Sequence, residues 1–178
     1  MPDLYNTSGS GIGLGRLSTM AVGGSGATIY FNGMYWFNQT SGSTPVGLDA
    51  YSKMKLGVPV EEIDGQLLQE KKLKALQTNS DPTILKIQSQ NPNEYYLIEN
   101  RQLTGYDQGL EESYFEALTG KILISGGIAV YRVNTDYTAN IANKQQLVTL
   151  LEADQSIAGY SRLENNEFQK IDPSIIMH

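Results

Sequence analysis

From Val58 onward the chain alternates short apolar runs with turn-forming clusters. Val58 to Ile63, Gln66 to Leu76, Thr83 to Ser89 and Glu94 to Arg101 read as β-like segments. They are separated most plainly by Asn79-Ser80-Asp81-Pro82 and by Gln90-Asn91-Pro92-Asn93, residues whose local hydrogen bonding and φ preferences favour turns. Across the second break, Ile84, Leu85 and Ile87 stand opposite Tyr95, Tyr96, Leu97 and Ile98, which predicts a hairpin and a stability centre around it. Lys121 to Ile124 and Ile128 to Val133 follow, broken by Gly126-Gly127, and then Leu147 to Leu151 before a polar tail from Asp154. The pattern predicts an antiparallel sheet or small sandwich over residues 58–154.

One helix is legible ahead of it, at about 45–56. Thr44 can cap it, Pro45 suits the first helical position and Gly57 suits a left-handed stop. Leu48, Tyr51, Met54 and Lys55 recur between them at helical spacing. The stretch Asn6 to Ser43 is dense in Gly, Ser and Thr, yet it carries Ile29, Tyr30, Phe31, Met34, Tyr35, Trp36 and Phe37. A flexible linker has no use for such side chains, so this reads as an ordered, irregular segment that needs a surface to lie on. The fold class is α+β, mainly β, with boundaries at 1–57, 58–154 and a tail at 155–178.

Composition then removes most chemistry. The 178 residues include 13 basic and 19 acidic ones, a net charge of -6, which excludes a phosphate-backbone binder. There is no cysteine, and the one histidine is His178, so thiolate catalysis, a Ser-His-Asp triad and a multi-histidine metal site cannot be assembled. No apolar stretch reaches the roughly 20 residues that span a bilayer. The start, Met1-Pro2-Asp3-Leu4-Tyr5, lacks the basic and apolar regions of a secretory signal.

Three local features invite a functional reading. The cluster Gly9-Ser10-Gly11-Ile12-Gly13-Leu14-Gly15 lacks the third glycine of a dinucleotide fingerprint and any preceding strand, so a loop is expected. Glu99, Asp107, Glu111, Glu112, Glu152 and Asp154 could supply paired carboxylates for acid/base chemistry, but carboxylates are abundant in this acidic chain and surface charges and turn caps are the better account of them. Glu99-Asn100-Arg101 ends an aromatic and aliphatic strand. It reads as part of a cleft or as a buried ion pair fixing the strand end.

Several pieces also fall in one order. They are Pro2-Asp3-Leu4-Tyr5, Leu17-Ser18-Thr19-Met20, the helix with "AYSKMKLG", then "EYYLIENRQ", Gly105-Tyr106-Asp107, Gly127 to Val133, and Leu151-Glu152-Ala153-Asp154. This series, from about residue 2 to 154, resembles the immune inhibitor A-like (M6) family of secreted bacterial zinc metallopeptidases. The resemblance implies that an HExxH helix, supplying two histidine ligands and a glutamate base, would lie just ahead of Pro2. It implies that Asp3 stands at the third-ligand position and that Met20 belongs to a Met-turn supporting the metal site.

The expectations that follow are specific. Residues 1–57 would be the remnant of a catalytic domain, and the chain would be the later, non-catalytic portion of a zinc metalloendopeptidase, truncated and inactive alone. Zinc would belong to the intact family protein and bind this chain weakly; no D-x-D-x-D-G calcium loop is present, which leaves calcium open. The substrate would be a protein or peptide, reached through the intact parent, in an extracellular setting. Loss of the catalytic half would expose Leu17, Met20, Tyr35, Trp36 and Phe37 and promote self-association. The alternative is a stand-alone β-rich module that binds protein or carbohydrate through the aromatic segment 30–37.

Overall fold

The computed structural model describes residues 1–4, 14–25, 29–31, 34–36, 42, 45–65, 72–75, 84–113, 115–116, 121–122, 126–141 and 146–151. Its elements are β1 (Ile29–Phe31), β2 (Met34–Trp36), α1 (Ala50–Lys55), β3 (Val60–Ile63), β4 (Ile84–Gln88) and β5 (Glu94–Arg101). Then come α2 (Gln108–Ser113), β6 (Phe115–Glu116), β7 (Lys121–Ile122), β8 (Gly127–Asn134) and β9 (Val148–Leu151). Tight 3-10 turns occupy Gly15–Leu17, Val22–Ser25 and Gly105–Asp107. No helix among the described residues is long and apolar enough to cross a membrane.

A five-stranded sheet in the order β3-β4-β5-β8-β9 organises the chain, and β1-β2 and β6-β7 form two separate two-stranded ribbons. The fold is therefore α+β and mainly β, as the alternating pattern predicts. β5 matches the bounds read from its turn signals, and its hairpin with β4 sets Leu85 opposite Ile98 and Ile87 opposite Tyr96. β5 then pairs with β8 along its whole length, from Glu94 opposite Asn134 to Arg101 opposite Gly127. One pairing differs from the antiparallel expectation: β3 and β4 run parallel. The connection between them, residues 64–83, is long enough to carry the chain back to the starting end, which a parallel pair requires.

Along β5 burial alternates strictly, so Tyr95, Leu97, Glu99 and Arg101 face inward while Ile98 sits half-buried on the other face. Of the hairpin residues expected at the centre, Ile84, Leu85, Tyr95 and Leu97 are buried, whereas Ile87 and Ile98 are not fully so. The inward residues join Ala129, Tyr131 and Val133 of β8 and Val148 and Leu150 of β9 in one core. Leu4, Leu14 and Leu17, from the segment that precedes α1, complete that core. Leu17 is thus buried within this chain, contrary to its expected exposure, because its turn packs against α2 while Arg101 at the end of β5 holds its carbonyl. Met20 packs partly buried against the same core. The side chains of Tyr35 and Trp36, and the whole of Phe37, lie outside the described residues.

α1 ends as its glycine predicts. Gly57 adopts φ +90, the Val58 amide donates to Lys53 O and the Gly57 amide to Met54 O, which satisfies the last carbonyls in a Schellman arrangement. Its start is later than the sequence suggests. Asp49 is the cap, extended and accepting from the Ser52 amide, and residues 45–48 before it are not helical. Those residues are claimed by tertiary bonds: the Val46 amide donates to Gly23 O, Gly47 O accepts from the Thr19 amide, and the Gly47 amide donates to Asp107. A helical turn there would forfeit all three. Of the predicted run 66–76, residues 72–75 form no strand. The remainder of that run, the proposed cap Thr44 and the tail 155–178 lie outside the described residues.

Candidate functional site

The resemblance singles out Asp3 and Met20, and the fold brings their segments side by side. The Leu4 amide donates to Met20 O at 2.9 Å. Leu4 itself is fully buried, and its carbonyl accepts from the Leu14 amide and from Asn140 Nδ2, each at 3.0 Å. Asp3 is exposed at this corner, with its carbonyl accepting from the Asn140 amide. Asp3 supplies one carboxylate, whereas catalytic zinc sites take three protein ligands. Among the described residues no three His, Cys, Asp or Glu side chains converge, so the residues described here do not by themselves fit a zinc ion.

Beneath the corner lies a buried polar network that the sequence shows only in part. Arg101 is 1% exposed at the end of β5, and each of its five N–H groups has an acceptor. Nε donates to Asp107 Oδ2 at 3.1 Å and one terminal nitrogen to Asp107 Oδ1. The others reach Leu17 O, Tyr131 Oη and Gly47 O. Burial opposes the Arg101 charge, but the Tyr131 oxygen, the Glu99 and Asp107 carboxylates and the bond to Asp107 outweigh that and raise its pKa further. Arg101 is locked as a cation.

Glu99, 2% exposed, accepts from Tyr131 Oη at 2.8 Å and is paired with Lys53 from α1. Burial first, and the Glu99 charge second, push the Tyr131 phenol well above its ordinary pKa, with Arg101 pulling the other way. Asp49, fully buried, accepts from Ser18 Oγ at 2.6 Å and Ser52 Oγ at 2.8 Å. Ser18 Oγ in turn accepts from the Met20 amide at 3.1 Å. Through Ser18 and Leu17, the helix cap and the end of β5 both grip the turn that carries Met20.

Glu99 and Asp107 are therefore held by cations inside the protein and are not free carboxylates facing a cleft. Of the two readings for Glu99-Asn100-Arg101, the buried ion pair describes Glu99 and Arg101, although their closest approach is 3.9 Å and each has a nearer opposite partner. The Glu111 and Glu112 side chains, Glu152, Asp154, the Gly9–Gly13 cluster and the side chains of the aromatic segment 30–37 lie outside the described residues. Asp49, Lys53, Tyr131 and Asn140 were not singled out in the sequence. Asp49 had a signal: an Asp three residues before Ser52, at the head of an apolar-faced helix, is a cap pattern. Lys53 had a weaker one, a cation on the helical stripe that includes Ala50 and Met54. Compared with known proteins, the chain matches no family model, no curated protein and no solved structure.

Proposed function

We propose that this chain is the later, non-catalytic portion of an immune inhibitor A-like zinc metalloendopeptidase, extracellular in its setting and inactive alone. The contact between the Asp3 and Met20 segments supports this reading. The segments of Asp3 and Met20, singled out on motif alone, are joined by the hydrogen bond from the amide of Leu4, the residue after Asp3, to Met20 O, as a ligand strand and a supporting Met-turn need to be. The role of this portion is to hold those two segments in register and to shape one wall of the substrate cleft. In the intact family protein the HExxH helix would supply two zinc ligands and the general base, and Asp3 would stand at the third-ligand position, where the metal would serve as a Lewis acid toward water.

Two measurements test the reading. The purified chain is expected to leave casein intact with or without added zinc; reproducible cleavage that a chelator abolishes would overturn the inactive assignment. The DNA immediately upstream of the Met1 codon is expected to encode an in-frame HExxHxxG. An unrelated sequence there would sink the family reading and leave a stand-alone binding module as the better account.

A further inference from the structure

We infer that Asn140 and Arg101 are positioning residues for the Asp3–Met20 corner, acting from the β8–β9 connection and from the end of β5. Asn140 is fully buried, and its side chain makes three bonds. Nδ2 donates to Leu4 O at 3.0 Å and to Val148 O at 2.8 Å, and Oδ1 accepts from the Val148 amide at 3.0 Å. Its own amide donates to Asp3 O at 3.3 Å. One residue thus fixes two successive carbonyls of the Asp3–Leu4 segment to β9, and with them the direction in which the exposed Asp3 carboxylate projects.

Arg101 does the same for the other segment. It holds Leu17 O directly and Gly47 O at 3.4 Å, and Gly47 O also receives the Thr19 amide. Gly47 must be glycine for this, since a Cβ there would lie 2.7 Å from Asp107 Oδ1. The turn from Leu17 to Met20 is therefore bonded at each of its four residues, the last through Met20 O to Leu4. Such density of directional bonds around an exposed carboxylate fits a corner that must keep its geometry, beyond what burying a few leucines requires. The inference rests on the metallopeptidase reading for what the corner does, but not for the bonds that hold it.

The test is made in this chain. Asn140→Ala should speed amide exchange at Leu4 by about tenfold or more, with Leu97 and Tyr131 at the sheet centre unchanged, because only the corner opens. The Met20 methyl resonance should move at the same time. Arg101→Lys keeps the charge and loses the fork, and should loosen the Thr19 amide in the same selective way. Should that variant fail to fold, Ser18→Ala removes one hydroxyl from the same turn and reads out at the Met20 amide and methyl. Equal acceleration at all these amides, or an unmoved Met20 methyl, would reduce both residues to general stabilisers and overturn the inference. Neither result depends on what lies upstream of Met1, so the inference and the family reading fail separately.

Discussion

β5 presents two inward halves of opposite character. Tyr95 and Leu97 form an apolar half, while Glu99 and Arg101 form an ionic one, and all four are at most 9% exposed. The partners across β8 differ to match. Tyr95 faces Val133 and Leu97 faces Tyr131, whereas Glu99 faces Ala129 and Arg101 faces Gly127. Large side chains interdigitate in the first half; small ones leave room for charged groups and their partners in the second. Packing in the apolar half is non-directional and fixes how firmly the sheet holds together. The bonds in the ionic half have direction, and they fix which loop conformation lies on the sheet.

Substituting each half with the same residue type should separate these roles most strongly. Arg101→Met strips Asp107 and Glu99 of a buried cation and is expected to cost about 3–5 kcal/mol, the range for removing one member of a buried pair. Leu97→Met, nearly volume-conserving, should cost less than about 1.5 kcal/mol. Urea unfolding measures both. If Arg101→Met fell within the range of Leu97→Met, the ionic half would be ordinary packing and the contrast would disappear. Adding Asp107→Leu to Arg101→Met should recover part of the loss, since replacing a whole pair avoids a stranded charge.

Alkaline titration should sharpen the contrast through one tyrosine on each side of it. In the apolar half, burial and then Tyr51 push the Tyr95 phenol up to about 12. Tyr131, beside the ionic half, is raised well above its ordinary value by burial and by Glu99. Both folded-state values are raised, so the associated stability is fully present below the ordinary tyrosine pKa of about 10. It is lost as pH rises through about 12 for Tyr95, and well above the ordinary tyrosine range for Tyr131. Tyrosinate absorbance from these residues should appear together with unfolding. A phenolate signal from Tyr131 near the ordinary value, with near-UV dichroism intact, would mean that its bond to Glu99 does not hold the proton in place.

Much of the apolar half was legible in the sequence, and much of the ionic half was not. Apolar runs between turn clusters give β4 and β5 their bounds, because period-two alternation and Pro-Asn turns are local signals. Gly57 stops α1 where a positive φ is needed. The start of α1 was misplaced because Val46 and Gly47 are recruited by Gly23, Thr19 and Asp107, partners up to 60 residues away. Parallel pairing of β3 with β4 likewise depends on the path of residues 64–83, not on either strand's own pattern. Glu99, Arg101, Asp3 and Met20 stood out because each breaks a pattern or fits a motif. Asn140 breaks none: an Asn after a strand usually marks a turn, and only the return of Leu4 and Val148 to its side makes it a clamp.

The smallest effect is expected where charge lies at the surface. Lys86 Nζ meets Glu62 Oε1 at 2.8 Å across the β3–β4 edge, with the Glu62 side chain 75% exposed. The hydrogen bond from Lys86, and then its charge, hold the Glu62 carboxyl below its ordinary pKa. A lowered value means the contribution is present above the ordinary carboxylate range and fades as pH falls through it. Water and salt screen it, so Glu62→Gln should leave the urea midpoint unchanged within error. Lys86→Ala should cost slightly more, about 0.5–1 kcal/mol, because Nζ also sits 5.0 Å from the centre of the Tyr95 ring, a cation–π contact that Glu62→Gln leaves in place. A loss from Glu62→Gln as large as that from Leu97→Met would show that a surface ion pair can rival the packed core, and burial would then not be what gives the charges of β5 their weight.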